Sequence, residues 1–174
     1  VLQSFGFKNI HILESQKKPD GDFPTVISPN PEEAEALDLA LQKAREIDAD
    51  MVIGCDPDSD RVGIAVRDHQ NELILLNGNQ TAAVLFDYIL KQKRISNSLP
   101  KNGFVASTVV TSALLGDIAK SYSIPVYNTL TGFKWIAELI NKLEGEKEFI
   151  IGGEESYGYL IGSFVRDKDA ISAS

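Results

Sequence analysis

The chain has 174 residues, with 17 Lys and Arg against 25 Asp and Glu, a formal net charge of −8 and a pI near 4.8. Its 43% hydrophobic and 24% charged residues are ordinary globular values and exclude a disordered chain, while the acidic balance argues against nucleic acid or an anionic membrane as a general partner. A single cysteine, Cys55, excludes an internal disulfide, and no apolar run approaches the roughly 18 residues of a membrane-crossing helix. With no basic, then apolar, leader at Val1–Gly6, a cytoplasmic chain is expected. The chain starts without Met and stops within Ala170–Ser174, which reads as a helix just beginning; a fragment of a longer polypeptide is therefore expected.

Ile10–Leu13 is a short apolar run before a polar Lys-Pro-Asp-Gly turn. Asn30-Pro31-Glu32-Glu33 predicts a helix start, followed by an apolar stripe of Leu37, Ala40, Leu41, Ala44 and Ile47. Met51–Ile53, then Val62, Ile64 and Val66, then Leu73–Leu76 read as strands, and Asn77-Gly78 marks a boundary. Beyond it, Val84, Leu85, Tyr88 and Ile89 predict a helix, and Phe104–Val110 a strand. Thr111 or Ser112 is expected to cap a helix carrying Leu114, Leu115 and Ile118. Ile124–Tyr127 reads as a strand, Trp135–Leu143 as an amphipathic helix, and Phe149–Ile151 and Tyr159–Ile161 as strands. Strands alternating with helices predict an α/β fold in two consecutive domains, residues 1–77 and 78–174, each a mixed β-sheet covered by helices.

Three loops follow strands, where α/β folds place ligands: Asp56–Arg61, Thr131–Lys134 and Gly152–Gly158. Asp56, Asp58 and Asp60 put three carboxylates within five residues. Such charges form either a solvated acidic turn or a site for a hard cation held through oxygen. A calcium EF-hand fails, because Arg61 stands where its glycine belongs and Arg67 where its bidentate glutamate belongs. A haloacid-dehalogenase phosphatase, whose Asp-x-Asp also follows a strand, fits poorly, since this chain runs on into another strand. The Thr131–Lys134 and Gly152–Gly158 loops are, on their residues alone, equally compatible with a solvated helix start and a glycine-rich turn.

Taken in order along the chain, these segments resemble the α-D-phosphohexomutases, the phosphoglucomutase/phosphomannomutase superfamily. Gly54-Cys55-Asp56-Pro57-Asp58-Ser59-Asp60-Arg61 is similar to that family's metal-binding loop, Thr131-Gly132-Phe133-Lys134 to its third-domain Gly-x-Lys segment, and Gly153-Glu154-Glu155-Ser156-Tyr157-Gly158 to its sugar-binding loop. The resemblance spans the later part of domain two and most of domain three of a four-domain enzyme. It implies Mg²⁺ on Asp56, Asp58 and Asp60, and Arg61 and Lys134 as catalytic cations. It further implies substrate contacts from Glu154, Ser156, Thr131, Gly132 and Arg166.

The implied activity interconverts glucose 1-phosphate and glucose 6-phosphate through a phosphoserine and glucose 1,6-bisphosphate, with domains one and four of the same polypeptide as partners. The phosphoserine loop and the distal phosphate loop are not found here, so the isolated chain is expected to be inactive. Glu155 before Ser156 resembles glucose-specific members. The alternatives are a phosphomannomutase of broader specificity and a non-catalytic metal-binding module. Ser107 departs from the family pattern, standing where relatives often carry a basic residue, and His11 and His69 are expected at the surface.

Overall fold

The computed structural model describes residues 1–174. Its first 50 residues hold little regular structure: a 3₁₀ turn at Leu2–Phe5, helix α1 (Glu14–Lys17), a 3₁₀ turn at Ala34–Leu37 and helix α2 (Asp38–Glu46). Strands β1 (Met51–Cys55), β2 (Val62–Arg67) and β3 (Leu73–Leu76) follow as an antiparallel sheet in the order β1-β2-β3. Ala44 of α2 packs with Val52 and Ala65 on one face of this sheet, the small residues letting the helix lie close.

Helix α3 (Gly78–Ile95) opens the second unit with a reciprocal cap: Asn77 Oδ1 accepts from the Gln80 N–H and Gln80 Oε1 from the Asn77 N–H, both at 2.9 Å. After it come β4 (Gly103–Thr108), α4 (Leu114–Ser121), β5 (Val126–Thr129), α5 (Phe133–Leu143), β6 (Glu148–Gly153), β7 (Tyr159–Ile161) and α6 (Ala170–Ala173). The sheet order is β5-β4-β6-β7; β4 runs parallel to β5 and β6, and β7 is antiparallel to β6. The mixed pattern belongs to this second sheet, the first being antiparallel throughout within this chain.

Helices cover both faces of the central strands, so β4 is buried along its whole length. Ala82, Phe86 and Leu90, spaced four apart on α3, pack with Val105, Leu115 and Ile151 on one face. Phe133, Ile136 and Ile140 of α5 pack with Phe104, Ala106 and Phe149 on the other. Val62 of the first sheet is wholly buried in the α3-side core with Tyr159, Ala170 and Ala173, which joins the two units at one corner.

Strand β5 lies two residues later than expected, at Val126–Thr129 rather than Ile124–Tyr127, and three further differences have a local cause. The helix expected from Asn30 begins at Asp38, because Asn30 Oδ1 closes a local turn on the Glu32 N–H (3.1 Å) and the chain makes a 3₁₀ turn before α2. Strand β4 stops at Thr108 rather than Val110, where the Thr111 N–H folds back to the Thr108 carbonyl at 3.1 Å. Helix α4 has no side-chain cap at its N-cap, Ala113: the Thr111 hydroxyl is taken elsewhere, and Ser112 Oγ accepts only a 3.3 Å bond from the Leu114 N–H.

Candidate active site

The acidic loop is a hairpin between β1 and β2. Asp56 Oδ1 accepts the N–H groups of Asp60 and Arg61, each at 2.9 Å, which turns the chain, with Ser59 held at φ 58°. This self-capping brings one carboxylate oxygen from each of Asp56, Asp58 and Asp60 within 4.8 Å of the others, with Asp58 exposed and the outer two half-buried. Burial pushes the Asp56 carboxyl up to about 6, the charges of Asp60 and Asp58 add to the rise, and the Arg61 N–H opposes it. Three carboxylate oxygens this close have the chemistry of a hard-cation site, and the residues present fit magnesium.

The second loop joins β6 to β7. Glu154 is 4% exposed; its N–H donates to the Gly158 carbonyl and its Oε1 accepts the Gly132 N–H, both at 2.9 Å. Burial pushes its carboxyl above the ordinary range, opposed by the Gly132 N–H and by the charges of Lys168 and Arg61. Gly132 precedes α5 at φ 112°, a left-handed conformation that side chains resist, so a glycine is needed for the chain to enter the helix here. Lys134, in the first turn of α5, is exposed, lies 5.2 Å from the Trp135 ring centre and has no carboxylate partner. Thr131 is exposed, and Ser156 is half-buried with its hydroxyl uncommitted.

The two hairpin loops meet. Arg61 and Gly158 form an antiparallel bridge, the Val62 N–H donates to the Tyr157 carbonyl and the Ala170 N–H to the Ser59 carbonyl, each of the last two at 3.0 Å. Lys168 Nζ lies 2.6 Å from Asp60 Oδ2, and Arg61 reaches Asp60 at 3.8 Å and Glu32 at 3.4 Å. The acidic triad, Arg61, Glu154, Ser156 and the start of α5 with Thr131, Gly132 and Lys134 therefore share one edge of the molecule.

Arg166 does not join them. Its guanidinium and Nε bond Asn141 Oδ1 (2.6 Å), Glu144 (3.2 Å) and the carbonyls of Ser163 and Val165, so it fastens its own loop to the end of α5 remote from Lys134. Of that charged run, the residue whose side chain reaches the acidic loop is Lys168, two positions further on. Ser107 is buried and donates to Asn128 Oδ1 at 3.1 Å, inside the sheet. His11 and His69 are exposed.

Two acidic hairpins and a helix start gathered on one edge of an α/β sheet define a class that comparison with known proteins identifies. Family models described as phosphoglucomutase/phosphomannomutase alpha/beta/alpha domain II and domain III match residues 1–70 and 77–174. The chain belongs to the phosphoglucomutase/phosphomannomutase family.

Among its relatives, phosphoglucomutase of Staphylococcus epidermidis is 43% identical over 171 residues, covering 98% of this chain and 31% of the relative. That of Staphylococcus aureus strain USA300 is 40% identical over 171 residues, covering 98% and 30%. The chain thus spans about a third of the length of the curated relatives it matches. A phosphoglucomutase/phosphomannomutase family protein of Burkholderia thailandensis shares the fold with TM-score 0.68 at 17% identity, over 88% of this chain and 30% of that one. Parafusin, a phosphoglucomutase of Paramecium, superposes with TM-score 0.61 at 26% identity, over 83% and 24%.

Proposed function

We propose that this chain supplies the magnesium loop and the sugar loop of a phosphoglucomutase that interconverts glucose 1-phosphate and glucose 6-phosphate. The observation that carries the reading is the pairing of Arg61 with Gly158, which puts the three aspartates and Glu154 on a single edge. Relatives about 40% identical that are named phosphoglucomutases support it, as does a fungal N-acetylphosphoglucosamine mutase structure, which carries magnesium.

Asp56, Asp58 and Asp60 would hold magnesium, which when bound offsets the charge of a phosphoryl group in transfer. Arg61 presents a planar donor fork to phosphoryl oxygens, a geometry that a lysine cannot match. Lys134, without a carboxylate partner, is free to neutralise the phosphate of a sugar. Glu154 has one oxygen on Gly132 and the other without a protein donor, so it can accept from a sugar hydroxyl, and Ser156 can donate or accept beside it. Thr131 and Gly132 shape the wall next to them.

The remaining parts, a phosphoserine and a clamp for the distal phosphate of glucose 1,6-bisphosphate, would come from domains one and four. Asn77, where the cap of α3 begins, divides the two units, 1–77 and 78–174. Charged sugar phosphates do not cross a bilayer unaided, which favours a cytoplasmic site of action.

The test is a coupled assay of glucose 1-phosphate conversion by the longest natural polypeptide that carries this segment, beside the isolated chain and beside mannose 1-phosphate. The reading expects magnesium-dependent turnover in the long polypeptide, preference for glucose, and none in the isolated chain. Equal use of mannose would point to a phosphomannomutase of broad specificity. No turnover in the long polypeptide would leave only a metal-binding module.

A further inference from the structure

Two buried hydroxyls stand at the carboxyl end of β4. Thr108 is 1% exposed and Thr111 9%; their Oγ1 atoms are 2.6 Å apart, and both reach Glu155 Oε2, at 3.1 and 2.8 Å. Three oxygens make three contacts, yet with Glu155 ionised only two hydroxyl protons are available to fill them. The carboxylate is the one member with no proton to give, so the hydroxyls must point toward it, either both directly or in relay from Thr108 through Thr111. A relay places protons in the two shortest contacts and polarises each bond by the next.

The main chain of Glu155 is fixed as well. A methyl group at Gly78 would overlap the Glu155 carbonyl, so the loop lies directly on the first turn of α3. Beside it, Asn79 Oδ1 accepts the Ser112 N–H at 2.8 Å, which secures the turn that carries Thr111. The Glu154 N–H is itself held by the Gly158 carbonyl at 2.9 Å. With Glu155 tied inward to β4, Glu154 is turned across the loop to Gly132.

We infer that Glu155 is a positioning residue: clamped by the Thr108 and Thr111 hydroxyls, it sets where Glu154 and Ser156 stand, without touching the sugar itself. Its effect on catalysis rests on the hexose phosphate reading above. Its effect on geometry does not.

Two readouts separate them: hydrogen exchange at the Gly132 N–H in this chain, and kcat and KM for glucose 1-phosphate in the long polypeptide. Thr111→Val is expected to speed Gly132 exchange and to raise KM by about tenfold each, with kcat within about twofold, as expected for loss of one charge-assisted bond that acts on binding alone. Thr111→Ser keeps the hydroxyl and should restore both values, while Glu155→Gln keeps an acceptor without the charge and should fall between. Exchange at Val105, in the core of β4, should not move, which distinguishes loss of position from loss of fold.

The proposal is overturned if Gly132 exchange in Thr111→Val and Glu155→Gln stays at the wild-type rate, or if it rises only together with Val105. It is equally overturned if Thr111→Ser behaves as Thr111→Val. A wild-type polypeptide without mutase activity would sink the hexose phosphate reading, and the exchange ratio alone would then decide the positioning.

Discussion

Two hairpin loops of similar length and similar acidity meet at one edge, and each contains one carboxylate, Asp58 in the first and Glu155 in the second, that the protein treats in the opposite way. In the first, Asp58 is exposed without a hydrogen bond and Asp56 is pushed up to about 6 by burial and by its acidic neighbours. In the second, Glu154 is paired with the Gly132 N–H and Glu155 with two hydroxyls. The contrast is sharpest between Asp58, left in a repulsion that a bound cation would relieve, and Glu155, whose carboxylate is satisfied by the protein itself; Asp56, Asp60 and Glu154 lie between these extremes, each holding one protein partner or more. The same side-chain chemistry thus serves two purposes, and the partners decide which.

Removing a carboxylate from the first loop should have the largest effect. Asp58→Asn is expected to weaken apparent magnesium affinity by at least about 100-fold, seen as loss of the metal-induced rise in melting temperature. The metal-free variant should melt no lower than wild type, since a repulsion has been removed. A lower melting temperature without metal would mean that Asp58 supports the fold, and the contrast between the loops would collapse.

In the second loop, Glu154→Gln in the long polypeptide should cost roughly 10- to 150-fold in kcat/KM, or ~1.5–3 kcal/mol, through lost charge-assisted bonds to hydroxyls. Its stability effect has the opposite sign. Burial raises the folded-state value of Glu154 above the ordinary 4.5, so the native state holds the proton more tightly than the unfolded one. The associated stability is complete below pH 4.5 and is lost as pH rises through the folded value. Glu154→Gln carries no such loss: it should melt above wild type at pH 7, with the gap closing below pH 4.5. A gap that is constant with pH would remove Glu154 from the titrating groups.

Lys168→Met separates the loops more gently. The pair with Asp60 is 14% and 24% exposed, so its loss should cost about 1 kcal/mol in thermal or urea unfolding. With the ammonium gone, the triad should bind magnesium a few-fold more tightly; unchanged affinity would show that Lys168 does not compete for Asp60. The smallest effect belongs to Arg166→Ala, which should alter kcat/KM by less than about twofold and stability by about 0.5–1 kcal/mol, because its bonds serve a surface loop.

The strands around these loops could be read from the sequence because their pattern is local. Val62, Ile64 and Val66 alternate, and Ile136, Leu139, Ile140 and Leu143 recur at helical spacing, so β2 and α5 fall where periodicity puts them. Failures came where a side chain found a better partner than its own helix. Asn30 spends its cap on a turn, and Thr111, three residues short of α4, gives its hydroxyl to Glu155. In the site, the acidic triplet was readable because five residues contain it all. Lys168 reaches Asp60 across 108 residues and Glu155 reaches Thr108 across 47, and no local pattern announces either. Arg166 and Lys168 lie in one charged run, and only the direction of the loop around them decides which faces the triad.

The proposed metal loop and the proposed sugar loop face each other across the Arg61–Gly158 bridge. Titrating this chain with Mn²⁺ in place of magnesium, and following paramagnetic broadening of its amide signals, measures that directly. Broadening should appear first at Asp58–Arg61 and, across the loop, at Tyr157 and Gly158, should be weakest at Gly103 and Glu148, paired at the far end of β4 and β6, and should vanish in Asp58→Asn. Broadening confined to Asp56–Arg61, or persisting unchanged in Asp58→Asn, would contradict the arrangement.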